Sequence, residues 1–367
     1  MNPNYVYFLC NASLMMSALF IPNYTRALGG SMVEVGLVGA AYGFSIFFSS
    51  YFFGTVSDTF GRTRFIAAGF LVSALAFFLQ QFTQTPWQLL YARAFVGFSL
   101  GIFSAPLTSY AHERGEKLGN FTSYASLGWA AGVLLAGGIA QAGESWLGLA
   151  ALAPYHTVFT LSSGLLALCF FFSRGYAEKD FKSCPSPFFP KKIFLRNFRV
   201  YLSLFLRSLG AFCIWSIFPL YLADIGANKF WIGALFFVNA ITQTFVMRRV
   251  SLSDDVKLIK AGLFLSILVF FSYTLVGDYR WVIPLQILLA VSYSFMYVGD
   301  LQYLANRNEE KGLALGLLNS IMGICIGVGP LLGGSVAHVH GFHGAMYLGA
   351  LLALAGFAVM AGERKAV

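Results

Sequence analysis

Three charged side chains fall inside long apolar runs of this sequence: Arg93, Arg207 and Asp300. A charge at the centre of such a run costs roughly 2.5–3.5 kcal/mol on membrane-insertion scales, so each reads as functional. An arginine there can hold an anion or pair with a carboxylate, and a carboxylate can exchange a proton. Arg207 lies about eight residues from one end of its run, and Asp300 about five residues from the matching end of its own. At about 1.5 Å per residue their depths agree within several ångströms. A pair is therefore expected, with Asp300 as the proton carrier; the alternative is two independent interfacial charges. Arg93 is expected to face a cavity rather than to reach back to the membrane surface. Asn11, Asn239, Gln243, Gln286 and Asn319 also lie within apolar runs. They are candidate substrate contacts, with hydrogen bonding between helices as the plainer reading.

A second charged group spans Gly54 to Arg64, with Asp58, Gly61, Arg62 and Arg64 between apolar runs at about 35–53 and 65–79. The two glycines permit a tight turn and close helix approach. Asp58 can accept hydrogen bonds from the exposed amides of a helix N-terminus. Arg62 and Arg64 can pair with an acid on the same face, and Glu113 is the candidate. Other patterns carry less. Gly97-Phe98-Ser99-Leu100-Gly101 fits a hydrolase elbow but lies inside an apolar run. His338, His340 and His343 cluster on an outer loop, where metal binding and a pH-sensitive loop are lesser readings, and the five cysteines (Cys10, Cys169, Cys184, Cys213, Cys325) show no metal-ligand spacing. There is no Gly-Lys dipeptide for a phosphate loop and no HExxH motif. No nucleophile–base constellation is present, so the chain reads as a non-enzyme with no cofactor, metal or nucleotide.

The elements that must position these residues are membrane helices. The hydrophobic fraction is 58% and charged residues make up 11%, with a mean hydropathy of +0.71. Soluble domains carry about 25% charged residues. Apolar spans fall near 5–25, 35–53, 65–82, 88–110, 119–141, 155–173, 200–222, 231–247, 258–276, 281–304, 313–336 and 342–361. With the Asp58 segment placed in the cytosol and the spans alternating, 19 of the 24 lysines and arginines fall in cytosolic segments. Only Arg26, Lys229 and Arg280 fall outside, and this asymmetry sets the orientation. Both termini are then cytosolic. The net charge of +9 is a topology signal, not a sign of a nucleic-acid partner. The first residues lack a basic region, so the first span is expected to be retained as a helix.

The chain divides in two. Residues 175–198 form a polar segment rich in basic residues, with Pro185, Pro187 and Pro190, expected as a cytosolic linker between bundles at 1–174 and 199–367. The halves repeat: Leu118 to Ala140 can be laid on Leu315 to Ala337, which puts Gly132 and Gly137 opposite Gly329 and Gly334, and Ser123 opposite Ser320. Ala111-His112-Glu113-Arg114 likewise resembles Ala305-Asn306-Arg307-Asn308. Gly128, Gly132 and Gly137 in one span, and Gly329, Pro330, Gly333 and Gly334 in the other, suit close helix packing in lipid.

The order G-x-x-x-D-x-x-G-R-x-R at Gly54–Arg64 resembles the loop between the second and third helices of the major facilitator superfamily, with Val56 and Thr63 departing from its pattern. The setting of Arg93, followed by Gly97 and Gly101, resembles that family's fourth-helix motif. The fifth helix resembles the glycine motif of drug–proton antiporters, with Val133 in place of its proline and Ala136 in place of a glycine; the proline form stands in the eleventh. The resemblance implies an all-α membrane protein with twelve transmembrane helices in two pseudo-symmetric six-helix bundles. It implies a cytosolic gate at the Asp58 cluster, a cavity lined by the first, fourth, seventh and tenth helices, and coupling through Arg93. The expected function is secondary transport by alternating access. The expected cargo is a small amphipathic compound leaving a cell through the cell membrane, with a coupling proton, by a monomer in a lipid bilayer. The alternatives are import of an organic anion, favoured by two arginines against one acid, and a non-transporting receptor on the same scaffold.

Overall fold

A computed structural model describes residues 2–114, 118–145, 152–177, 191–250, 254–308 and 311–363. At Thr55, Asp58, Thr59, His112, Glu113, 118–120, Thr122, 311 and 312 only the backbone is described. Fourteen α-helices follow in order among the described residues: α1 (Pro3–Ala18), α2 (Ile21–Ala27), α3 (Met32–Phe60), α4 (Arg62–Leu79), α5 (Pro86–Glu113), α6 (Leu118–Ser145), α7 (Ala153–Ser173), α8 (Lys191–Arg196), α9 (Phe198–Trp215), α10 (Phe218–Asp224), α11 (Lys229–Arg249), α12 (Asp255–Ser272), α13 (Val282–Arg307) and α14 (Lys311–Ala361).

Eleven described stretches are long and apolar enough to cross a membrane. The last, Leu313–Ala361, has 49 residues. As one rod it would reach about 74 Å, more than twice a hydrocarbon core of roughly 30 Å. It is broken at Gly341, whose φ of 68° and ψ of −173° are not helical. Gly329 and Gly333 of the first arm pack on Phe212 and Cys213 of α9, whereas Gly349 and Gly356 of the second pack on Gly210 and Ser203. The arms therefore run in opposite directions along α9, and the chain crosses twelve times, so that α1 begins and α14 ends on one face, called the basic face below.

The first and seventh spans are each cut in two. α1 gives way to α2 and α9 to α10 where Pro22 and Pro219 remove a backbone donor and force a new helix start. These breaks fall at equal depth. Adding 197 carries Ala18 to Trp215, Pro22 to Pro219 and Tyr24 to Tyr221. The equivalence extends to hydrogen bonds. The Tyr24 hydroxyl donates to the Thr83 carbonyl at 3.0 Å, and the Tyr221 hydroxyl to those of Tyr273 and Val276 at 2.7 and 3.1 Å. Ser73 of α4 bonds Ser99 of α5 at 3.0 Å; Ser266 of α12 bonds Ser292 of α13 at 2.6 Å. The repeat read from the sequence is thus a structural pseudo-twofold.

Its halves meet through two equivalent helix crossings. Gly36 of α3 faces Gly334 of α14, and Gly233 of α11 faces Gly137 of α6. At each of these glycines a Cβ would come within 3.1 Å of the partner glycine's Cα. Only residues without side chains allow that approach. Both crossings lie toward the face opposite the basic one. The large apolar cluster there draws on both halves, joining Met16, Phe20 and Tyr155 to Ile214, Phe218 and Leu222. Nearer the basic face, one cluster (Val6, Phe70, Phe103, Phe121) belongs to the first half and another (Val200, Leu204, Leu263, Met296) to the second.

One sequence expectation needs correcting. Gly54 to Phe60 is not a turn but the last turns of α3, and only Gly61 breaks the helix, at φ 95°. A Cβ at Gly54 would meet Ala105 at an ordinary 3.4 Å, so Gly54 does not enforce close packing. The segment is helical because Gly61 alone supplies the reversal that a charged loop was expected to make.

Candidate functional site

Arg93 sits in α5 with 4% of its surface exposed. Its guanidinium lies 4.4 Å from the centre of the Tyr42 ring of α3, and its Nη1 donates to Gln80 Oε1 at 3.3 Å. Nε–H is buried without a hydrogen-bond partner. The side chain therefore turns into the first bundle and does not reach to the surface. Gln80 also donates to Ser17 of α1 at 3.2 Å, so the arginine is tied to the first, second and third spans at once.

Arg207 of α9 is 3% exposed. Its Nε donates to Ser266 Oγ at 2.9 Å, and its guanidinium lies 5.3 Å from the Tyr293 ring and 5.6 Å from the Phe270 ring. Ser292 continues the chain to the Gly262 carbonyl at 2.8 Å. Asp300 of α13 is fully buried, and neither carboxylate oxygen has a hydrogen-bond partner. Arg207 thus bonds Ser266 and not Asp300, although the two remain within electrostatic reach. Tyr293 and Tyr297 stack with centroids 5.4 Å apart on the turns that lead to Asp300.

The pseudo-twofold puts an uncharged residue opposite each of these charges. The α1–α9 offset matches Arg207 to Cys10. The offset of 193 that carries Ser73 and Ser99 to Ser266 and Ser292 matches Arg93 to Gln286 and Asp300 to Leu107. The scaffold repeats; the charges do not.

The uncharged candidates divide. Asn11 donates to the Tyr7 carbonyl at 2.8 Å and accepts from Trp129 Nε1 at 2.9 Å, so both ends of its amide join α1 to itself and to α6. Asn239 donates to the Gln286 carbonyl at 3.0 Å and accepts from Gln243 at 2.6 Å. The side-chain amide of Gln286 is fully buried with neither end satisfied. Asn319 is exposed. Gly128 and Gly132 pack on Phe8 and Ala12 of α1, and Pro330 packs against Gly36 and Gly39.

The positions expected to form a gate lie where α3 ends, at Gly61, and α4 begins with Arg62 and Arg64, and where α5 ends at Glu113. The side chains of Asp58 and Glu113 lie outside the described residues. Sequence reading did not find Gln80, Tyr42, Ser266 or the Tyr293–Tyr297 stack. Their residue types are common in membrane helices, and only their shared position around Arg93, Arg207 and Asp300 marks them.

The model of the Major Facilitator Superfamily matches residues 5–307 and 200–365. Among curated proteins, the chain is 22% identical to the Quinolone resistance protein NorA of Staphylococcus aureus (strain COL), over 94% of this chain and 91% of that protein. It is 26% identical to the Multidrug resistance protein MdtG of Klebsiella pneumoniae (strain 342), over 91% and 86%. Among solved structures, the nucleoside transporter NupG superposes with a TM-score of 0.77 at 13% identity, covering 99% of each chain. A bacterial homologue of the human lysosomal transporter Spinster, inward-facing and occupied, superposes at 0.80 with 13% identity, covering 98% of this chain and 94% of that one.

Proposed function

The chain belongs to the Major Facilitator Superfamily, and from that membership we propose that it is a secondary transporter that exports a small amphipathic compound through the cell membrane, coupled to protons. The basic face is the cytosolic face on this reading, supported by the 19 of 24 basic residues that its segments hold. Relatives named for quinolone and multidrug resistance support the direction and the class of cargo.

The observation that carries the reading is Asp300. A fully buried carboxylate with both oxygens unpartnered is a place for a proton or for the cationic end of a cargo. The stacked Tyr293 and Tyr297 beside it offer flat apolar surface to the rest of an amphipathic molecule. Alternating access then requires the halves to rock about this centre, opening one face as the other closes. The Asp58 cluster acts as the cytosolic gate, with Arg62, Arg64 and Glu113. The test is flux in proteoliposomes under an imposed pH gradient. Asp300→Asn is expected to insert normally and to lose pH-driven flux; full pH-driven flux in that variant removes the carrier role. Absence of any substrate-dependent flux in the wild type points instead to a receptor.

Arg93 favours a second reading, import of an organic anion. Its Nε–H is buried and free of any hydrogen-bond partner, a donor suited to a carboxylate. Competition by anionic but not cationic compounds, with uptake toward the cytosol, supports import over export.

A further inference from the structure

The two glycine crossings that join the halves are equivalent in backbone and different in charge. Lys229 begins α11 and lays its carbonyl on Gly137 just as Met32 begins α3 and lays its own on Gly334. Seven residues beyond Gly137 is Glu144; seven beyond Gly334 is Gly341. One crossing therefore ends in a lysine and a glutamate, and the other in a methionine and a glycine. The Lys229 Nζ lies 2.9 Å from Glu144 Oε2, and 5.2 Å from the centre of the Tyr155 ring. Glu144 and Tyr155 belong to the first half and Lys229 to the second. Tyr155 is held in turn by ring contacts to Tyr24 and Phe20, at 5.7 and 5.8 Å. Three further ion pairs between described side chains, Arg199–Glu363, Lys257–Asp254 and Arg307–Asp255, each lie within the second half and do not join it to the first.

We propose that Lys229, Glu144 and Tyr155 form a latch that holds the face opposite the basic one shut, and so set the balance between the two facing states. This rests on the alternating-access reading, because a latch has work to do only if that face opens. The lysine is the better-buried partner, 15% exposed against 52% for Glu144. The ammonium is thus partly desolvated by the first half, against an aromatic face that favours a cation. An exposed ion pair is a weak contact by itself. A contact present in one conformation and absent in the other still shifts their ratio by its full worth, which for an exposed pair is up to about fivefold. The glycine contacts close that face at both crossings alike, and the charged pair adds to them at one.

The experiment is a spin-label distance measurement on the full chain in nanodiscs, with no cargo, in a background lacking the five native cysteines. Labels at Gln84→Cys and Gly277→Cys, both exposed on the latch face, report separation of the halves. Glu144→Gln and Lys229→Gln are each expected to raise the long-distance population severalfold, and Tyr155→Leu to do so less. The exchange of both charges, Glu144→Lys with Lys229→Glu, is expected to restore the parent distribution. Unchanged distances in both neutralised variants overturn the latch, as does an exchanged pair that separates as far as either single variant. The readout needs no transport, so a failed latch and a failed export reading are distinguishable.

Discussion

At the scale of single residues, the arginines are held by geometry as much as by charge. Arg93 lays a planar cation on Tyr42 while its Nη1 reaches Gln80. A lysine carries the same charge but has neither the plane nor the fork of donors. Arg93→Lys is therefore expected to lose transport by about tenfold, the worth of one stacked cation and one hydrogen bond at roughly 0.5–1.5 kcal/mol each. Flux from Arg93→Lys equal to the parent at matched expression sinks this reading. Arg207 changes the expectation for its pair with Asp300. Because its Nε bonds Ser266, Arg207→Gln leaves a serine chain short of a donor rather than leaving a carboxylate without its only contact. The sequence placed both residues inside the membrane. It could not show where each guanidinium points, since that depends on Tyr42 and Gln80 for Arg93, and on Ser266, Phe270 and Tyr293 for Arg207.

At the scale of elements, the glycines separate into those the packing demands and those it does not. A Cβ at Gly233 would lie 2.5 Å from the Val133 carbonyl and 2.9 Å from the Cα of Gly137. A Cβ at Gly138, one residue beyond Gly137, meets nothing within 4 Å. Gly233→Ala is expected to push α6 and α11 apart and lower the melting temperature in detergent. Gly138→Ala is expected to be neutral, or stabilising by up to about 1 kcal/mol through helix propensity. Equal melting temperatures for the two variants contradict the crossing geometry. The spans, the repeat and the partnership of Gly137 with Gly334 in that repeat were legible in the sequence, because length, hydropathy and residue spacing carry them. What Gly137 and Gly334 touch was not legible. The repeat aligns them with each other, whereas in space each meets a glycine of the opposite half, Gly233 and Gly36. The breaks after Ala18 and Trp215 were missed for another reason: Pro22 and Pro219 interrupt hydrogen bonding without interrupting hydropathy.

At the scale of the whole molecule, an even number of crossings puts the start of α1 and the end of α14 on one face, and the proposed topology places the linker on that basic face too. Cys184 lies in that linker, outside the described residues, while Cys10, Cys169, Cys213 and Cys325 are buried in the bundles. A membrane-impermeant thiol reagent is expected to leave intact cells unlabelled and to label Cys184 once they are permeabilised. Ready labelling of intact cells, lost on Cys184→Ser, inverts the orientation. The unmatched charges have an electrical consequence as well. With Asp300 ionised, the two arginines leave the interior of the spans at a formal charge of +1, and a proton on Asp300 raises it to +2. Moving one full charge across 100 mV is worth about 2.3 kcal/mol. Any rocking motion that carries these side chains together through part of the field is therefore driven by membrane voltage, and the protein protonated at Asp300 feels twice the pull of the unprotonated one.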